Sequence, residues 1–135
     1  MSTNFHEVGH FHKKFGLDSA THNGYGPRPL TEELIKFRVK FMQEELDEFK
    51  DAWDADDITE MADALIDLAY VVLGTAQFMG LPWQALWDEV QRANMEKQKA
   101  TSSTLGPRGN AEWDVVKGPN WKPPDIRGVL ERYGW

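Results

Sequence analysis

Two pairs of carboxylates, Glu45/Glu48 and Glu60/Asp63, recur at i, i+3, so each pair projects from one face of a helix. Their neighbours are apolar. With Leu34 set at zero on a helical wheel of about 100° per residue, Glu45 falls near 20° and Glu48 near −40°. Phe37, near −60°, Phe41 and Ala52 share that stripe. A carboxylate on a dry face must be paired, protonated or metal-bound. Two such pairs on facing helices make an all-oxygen site, which suits hard cations such as Mg²⁺ or Mn²⁺. Glu44 and Asp67 lie close enough in sequence to assist. The plainer alternatives remain open. Glu60 follows Asp57 by three residues, as in a capping box. Glu44 to Glu48 would also suit a solvated acidic face flanked by Lys40 and Lys50.

The elements that must position these groups are helices. Thr31 is a natural N-cap with Glu32 and Glu33 in the first turn, and the pattern runs to about Trp53. Asp54 to Asp57 form an acidic turn. A second helix follows from Asp57 to about Met79, with Gly80 as its stop. It is nearly apolar all round apart from one carboxylate line, so it is expected to be central and buried. Pro82 opens a third helix to about Ala100, on which Asn94 and Lys97 continue the stripe of Trp83, Trp87 and Val90. Short helices are expected over Phe5–Phe15 and Asp125–Tyr133. Gly24–Pro29 and most of 101–135 read as irregular, with no strand pair. The expectation is one all-α domain over 1–135: an antiparallel bundle of three long helices plus short terminal helices. An N-terminal arm covers 1–30, a helical core 31–100 and an irregular C-terminal tail 101–135.

The chain has 135 residues, 41% of them hydrophobic, enough for a core and too few for two ordinary domains. A net charge of −7 argues against nucleic acid and anionic membranes as partners. With no cysteine there are no disulfides, thiolate metal sites or cysteine nucleophiles. The apolar stretch Leu68–Leu81 is too short to span a bilayer, and no signal peptide precedes it. A soluble cytoplasmic protein is expected, in the host cytoplasm if phage-encoded.

Glu44-Glu45-Leu46-Asp47-Glu48, followed by Glu60-Met61-Ala62-Asp63, resembles the Glu-Glu-x-x-Glu and Glu-x-x-Asp motifs of the MazG-like all-α nucleoside triphosphate pyrophosphohydrolases. Relatives of phosphoribosyl-ATP pyrophosphohydrolase belong to that group. Phe37-Arg38, Asn94-Met95-Glu96-Lys97 and the tail Lys117–Asp125 are similar to its compact phage-type branch. The resemblance implies two or more Mg²⁺ or Mn²⁺ ions held by Glu45, Glu48, Glu60 and Asp63. It implies Glu44 as a further ligand or the orienter of the attacking water, so that Glu44, Glu45 and Glu48 are the catalytic candidates. Asn94, Lys97, Lys117 and Lys122 would contact phosphate. The substrate would be a nucleoside triphosphate, with a purine deoxynucleotide such as dGTP or dATP preferred, and the assembly a homodimer or homotetramer. Phe11 and His12, on the N-terminal arm, are the candidates for a lid over the base. Attack of water at the α-phosphorus would give a monophosphate and pyrophosphate. Because the substrate brings about four negative charges, a carboxylate nest accepts it only through intervening cations.

Two other readings compete. A non-enzymatic dimeric helical module would leave the acidic stripes solvated or paired across subunits. His6-Glu7-Val8-Gly9-His10 has the His-Glu-x-x-His spacing of zinc hydrolases, with His12 or His22 as a third ligand. It has no preceding scaffold to form a cleft. All four histidines lie at or before residue 22, which removes the Glu-x-x-His set that a di-iron bundle needs.

Overall fold

A computed structural model describes residues 2–20 and 26–135. Among them are five α-helices: α1 (Asn4–Lys14), α2 (Glu32–Asp54), α3 (Ile58–Met79), α4 (Trp83–Met95) and α5 (Ile126–Arg132). A 3-10 turn over Leu17–Ala20 follows α1, and one small antiparallel ladder joins β1 (Gln98–Lys99) to β2 (Val115–Val116). The fold is all-α. Two compact units divide it, one of residues 1–81 with 133–135 and the other of residues 82–132.

In the first unit, the helix ends follow from local chemistry. The Thr31 hydroxyl accepts from the Leu34 N–H at 3.3 Å, and an Asp57 carboxylate oxygen from the Glu60 N–H at 3.1 Å. Gly80 closes α3 in the left-handed region at φ 63°, where a side chain would be strained. Between α2 and α3 only Ala55–Asp57 intervene, so the two helices form a tight antiparallel hairpin. Asp56 sits at its centre with φ 54°, a conformation that Asp tolerates better than most residues.

The buried line of α2 is Arg38, Glu45 and Ala52, at seven-residue steps. The stripe is thus centred near 20° on the wheel, and Phe37, at about −60°, falls off its edge. Phe37 is 58% exposed. On α3 the buried residues include Ala64, Val71, Thr75 and Phe78. The expectation that α3 is buried all round does not hold within this chain. Among the described residues it packs mainly on α2 and α1, with a smaller contact to the 3-10 turn, and Ile58 (74% exposed), Leu65 and Ile66 stay uncovered. By length and composition α3 could cross a membrane, but it carries Glu60, Asp63 and Asp67 and serves as the shared packing surface of α1 and α2.

The arm helix α1 packs on α3. It inserts Val8 and His12, at i, i+4, as buried residues. Gly9 allows the approach: a Cβ there would stand 2.8 Å from Gln77 Nε2, and that same amide donates to the Phe5 carbonyl at 3.0 Å. Gly74 serves the opposite purpose on α3. The buried Arg38 guanidinium donates to Thr75 Oγ1 (3.1 Å) and the Val71 carbonyl (2.8 Å), lying over the rings of Phe41 and Phe78. A Cβ on Gly74 would meet Arg38 Nη2 at 2.6 Å and His12 Nε2 at 2.9 Å.

The second unit departs from expectation. The third helix stops at Met95 rather than near Ala100, because Gln98 and Lys99 pair with Val116 and Val115. A strand pair therefore exists where none was expected. Its partner strand lies past a loop rich in glycine and proline, a separation that hides pairing from local pattern. Of the expected Gly24–Pro29 loop, Gly24 and Tyr25 lie outside the described residues. The remainder is irregular.

Since the space at Gly74 is filled by a hydrogen-bonded guanidinium, Gly74→Ala is expected to cost about 1–3 kcal/mol through overpacking. Urea unfolding measures this; an unchanged midpoint would show that Arg38 yields freely.

Candidate metal centre

In a hairpin with a short loop, residues equidistant from the turn face each other. Arg38 meets Val71 and Thr75 in this way. Glu45 and Asp67 are each eleven residues from Asp56, so the same register sets them opposite. Glu48 stands one turn from Glu45 toward the loop. One carboxylate oxygen from each of Glu45, Glu48 and Asp67 lies within 4.8 Å of the other two. Glu60 is only four residues past Asp56 and so levels with Ala52, about two turns from Glu45. Its exposed side chain is outside the cluster of three. Asp63 is also outside that set, but its charge acts on Asp67. Glu44 is exposed beside the cluster and acts electrostatically on Glu45.

The electrostatics match the geometry. Glu45 is 8% exposed, and its Oε2 is buried without a hydrogen-bond partner. Burial raises the Glu45 pKa above the ordinary carboxylate value, and Glu48, Asp67 and Glu44 push it further. Asp67 is raised by burial, then by Asp63 and Glu48. No cation of the chain is ion-paired with the three, among the described residues. An orphaned buried oxygen amid like charges, with oxygen the sole donor type, fits a hard divalent cation. Asp67 was readable in sequence only as an accessory. The signal that selects it is the equal spacing about the turn.

The remaining candidates distribute as follows. Phe11 is exposed, with its ring against Phe15 and edge-on to Tyr70. His12 is turned inward, 3% exposed, with its ring 4.6 Å from that of Phe78 and tilted 54° to it. Burial and the nearby Arg38 charge hold its imidazole below its ordinary pKa. A lid over the base would therefore be Phe11 alone, with His12 beneath it as support. His6 and His10 share an exposed face of α1, but no histidine joins a three-ligand group among the described residues. His22 lies outside those residues. Asn94, Lys97, Lys117 and Lys122 belong to the second unit. There the ammonium groups of Lys97 and Lys117 lie 5.6 and 4.9 Å from the Trp121 ring centroid, while Asn94 and Lys122 are exposed.

The family model described as phosphoribosyl-ATP pyrophosphohydrolase matches residues 8–94, and the chain belongs to that family. An uncharacterised protein of Acanthamoeba polyphaga mimivirus, L479, is 34% identical over 83 residues, which are 59% of this chain and 32% of that protein. The chain thus spans about a third of the length of the curated relative it matches.

Raised carboxylate pKa values carry a sign. Stability from Glu45 and Asp67 is fully present below their ordinary pKa and is lost as pH rises through the raised values. Metal-free Asp67→Asn is therefore expected to be more stable than the parent near neutral pH, with the difference shrinking toward pH 4. Its melting point should rise by about 4 °C, the response of such a domain to about 1 kcal/mol. Added Mn²⁺ should stabilise the parent and not the variant. Equal melting points at both pH values, and equal Mn²⁺ responses, would contradict the shared repulsion.

Proposed function

We propose that the protein is a metal-dependent nucleoside triphosphate pyrophosphohydrolase, converting a (d)NTP and water to the (d)NMP and pyrophosphate. The observation that carries this reading is the convergence of Glu45, Glu48 and Asp67 with one buried oxygen orphaned, in a chain of this family. Glu45, Glu48 and Asp67 would hold Mg²⁺ or Mn²⁺, with Asp63 and Glu60 completing a second position toward the loop. A bound divalent cation supplies Lewis acidity and cancels phosphate charge.

The chain's own groups do the rest. Glu44, exposed beside the buried pair, orients the attacking water and accepts its proton. The water oxygen bonds to the α-phosphorus. The bond from that phosphorus to the α,β-bridging oxygen breaks, and its electron pair leaves with pyrophosphate. Asn94, Lys97, Lys117 and Lys122 are assigned to phosphate. The exposed ring of Phe11 is assigned to the base, a purine deoxynucleotide such as dGTP or dATP being preferred.

The protein would act in the cytoplasm as a homodimer or homotetramer. The uncovered row of Ile58, Leu65 and Ile66 on α3 supports a second copy, since a patch of this kind is costly to leave wet. The same row is what a purely structural helical module would show, so products decide.

Incubation with a panel of (d)NTPs and Mg²⁺ or Mn²⁺, followed by chromatography, should yield monophosphate and pyrophosphate. Glu48→Gln and Asp67→Asn should each lower kcat by about 10²-fold or more while remaining folded. Diphosphate with orthophosphate would contradict attack at the α-phosphorus. No turnover with any nucleotide would favour the structural module.

A further inference from the structure

The ladder of the second unit sets two lysines against each other. In its register Gln98 faces Val116 and Lys99 faces Val115, so the next rung places Lys97 opposite Lys117. Like charges at opposed positions weaken a ladder. Among the described residues neither ammonium is in an ion pair. What both share is the Trp121 indole, whose centroid is 5.6 Å from Lys97 Nζ and 4.9 Å from Lys117 Nζ.

The indole is firmly held. Its Nε1–H donates to the Ala93 carbonyl at 2.6 Å, near the C-terminal end of α4. The Trp121 backbone N–H donates to the Gly118 carbonyl at 3.1 Å, closing a turn that folds the chain back onto the ladder end. A Cβ at Gly118 would stand 2.6 Å from Gln98 Nε2, so the exposed Gln98 side chain lies close against this turn. An aromatic face attracts cations without neutralising them. Two formal charges therefore remain at a pocket of about 420 Å³ that Lys97 and Lys117 line together with Gly106, Arg108 and Val116. The third cation there is already engaged: Arg108 binds both oxygens of Asp114, at 3.0 and 2.5 Å. The pocket is thus short of negative charge by two.

We propose that Trp121 is a positioning residue that presents Lys97 and Lys117 as a two-ammonium cradle for a diphosphate group. Two separate charge centres match two linked phosphates, whereas a monophosphate or carboxylate engages one. The choice of a diphosphate rests on the proposed function, in which that group is both the end of the substrate and the leaving group. The cradle itself lies wholly within residues 82–132.

Calorimetric titration of the full chain with sodium pyrophosphate in Mg²⁺-free buffer tests this without turnover. Pyrophosphate should bind, and dGMP at least about tenfold more weakly. Lys97→Gln, Lys117→Gln and Trp121→Leu, which keeps bulk but removes the π face, should each weaken pyrophosphate by about tenfold or more. Trp121→Phe should recover most of that loss. In turnover assays Trp121→Leu should raise KM if the cradle holds the substrate's terminal phosphates and lower kcat if it holds the leaving group, with Trp121→Phe restoring the parent value in either case. Displacement of pyrophosphate by dGTP would assign the cradle to the substrate's terminal phosphates, and its absence to the leaving group; both support a diphosphate cradle. Pyrophosphate binding by Trp121→Leu as tight as the parent's, or by both lysine variants, overturns the proposal. If Trp121→Leu does not fold, Trp121→Phe and the two lysine variants decide. Glu48→Gln should bind pyrophosphate normally, so pyrophosphate binding without hydrolysis would defeat the proposed function alone. Hydrolysis with pyrophosphate binding indifferent to Trp121 would defeat the cradle alone.

Discussion

Mutual repulsion among carboxylates at the α2–α3 seam is the constraint around which the first unit is arranged. Glu45, Glu48 and Asp67 approach within 4.8 Å of one another, and no cation of the chain is ion-paired with them, among the described residues. Such a contact opposes folding unless a proton or an external cation offsets it. The hairpin enforces it by geometry. Three residues of loop fix the register, and helices of 23 and 22 residues give that register rigidity. About two turns farther from the loop than Glu45, Arg38 is fixed to α3 by Thr75 and Val71, and α1 covers the same end through His12. A seam with a cationic, well-bonded end and an anionic, under-bonded middle keeps its rigidity apart from its chemistry.

Such an arrangement trades stability for a preformed ligand set. Oxygens already held together need little reorganisation to receive a cation, so their mutual repulsion lowers the cost of binding one. The buried oxygen of Glu45 is where this trade is most visible. A hydrogen-bonded or solvated side chain would stabilise the fold and weaken the case for an ion. The second unit repeats the pattern with opposite charge. Lys97 and Lys117 are brought to one indole by a two-rung ladder and a glycine turn. In both places the chain gathers like charges and leaves the counter-charge to be supplied.

The caps and stops were legible in the sequence because they depend on neighbours alone. Thr31, Asp57 and Gly80 bound the two long helices where their side chains, or lack of one, require. The Glu45/Glu48 pair was legible for the same reason: a carboxylate inside an apolar stripe is conspicuous at any register. The choice among Glu60, Asp63 and Asp67 was not, because it depends on how two helices align across a turn. Counting outward from Asp56 shows that Asp67 stands level with Glu45, but only once the turn is known to be short. The wheel also put Phe37 on the dry side, whereas the real line runs through Arg38, a residue that hydropathy places in water. Burial of that guanidinium depends on carbonyl and hydroxyl partners on another helix. The ladder of β1 and β2 is illegible in the sequence for a related reason, since each strand has two residues and gains its identity only from the other.

The most direct measurement of the central claim is anomalous diffraction from crystals equilibrated with Mn²⁺. The account predicts a peak bounded by the carboxylate oxygens of Glu45, Glu48 and Asp67. A map with no anomalous density there, and those oxygens instead joined by short hydrogen bonds through a retained proton, would contradict it.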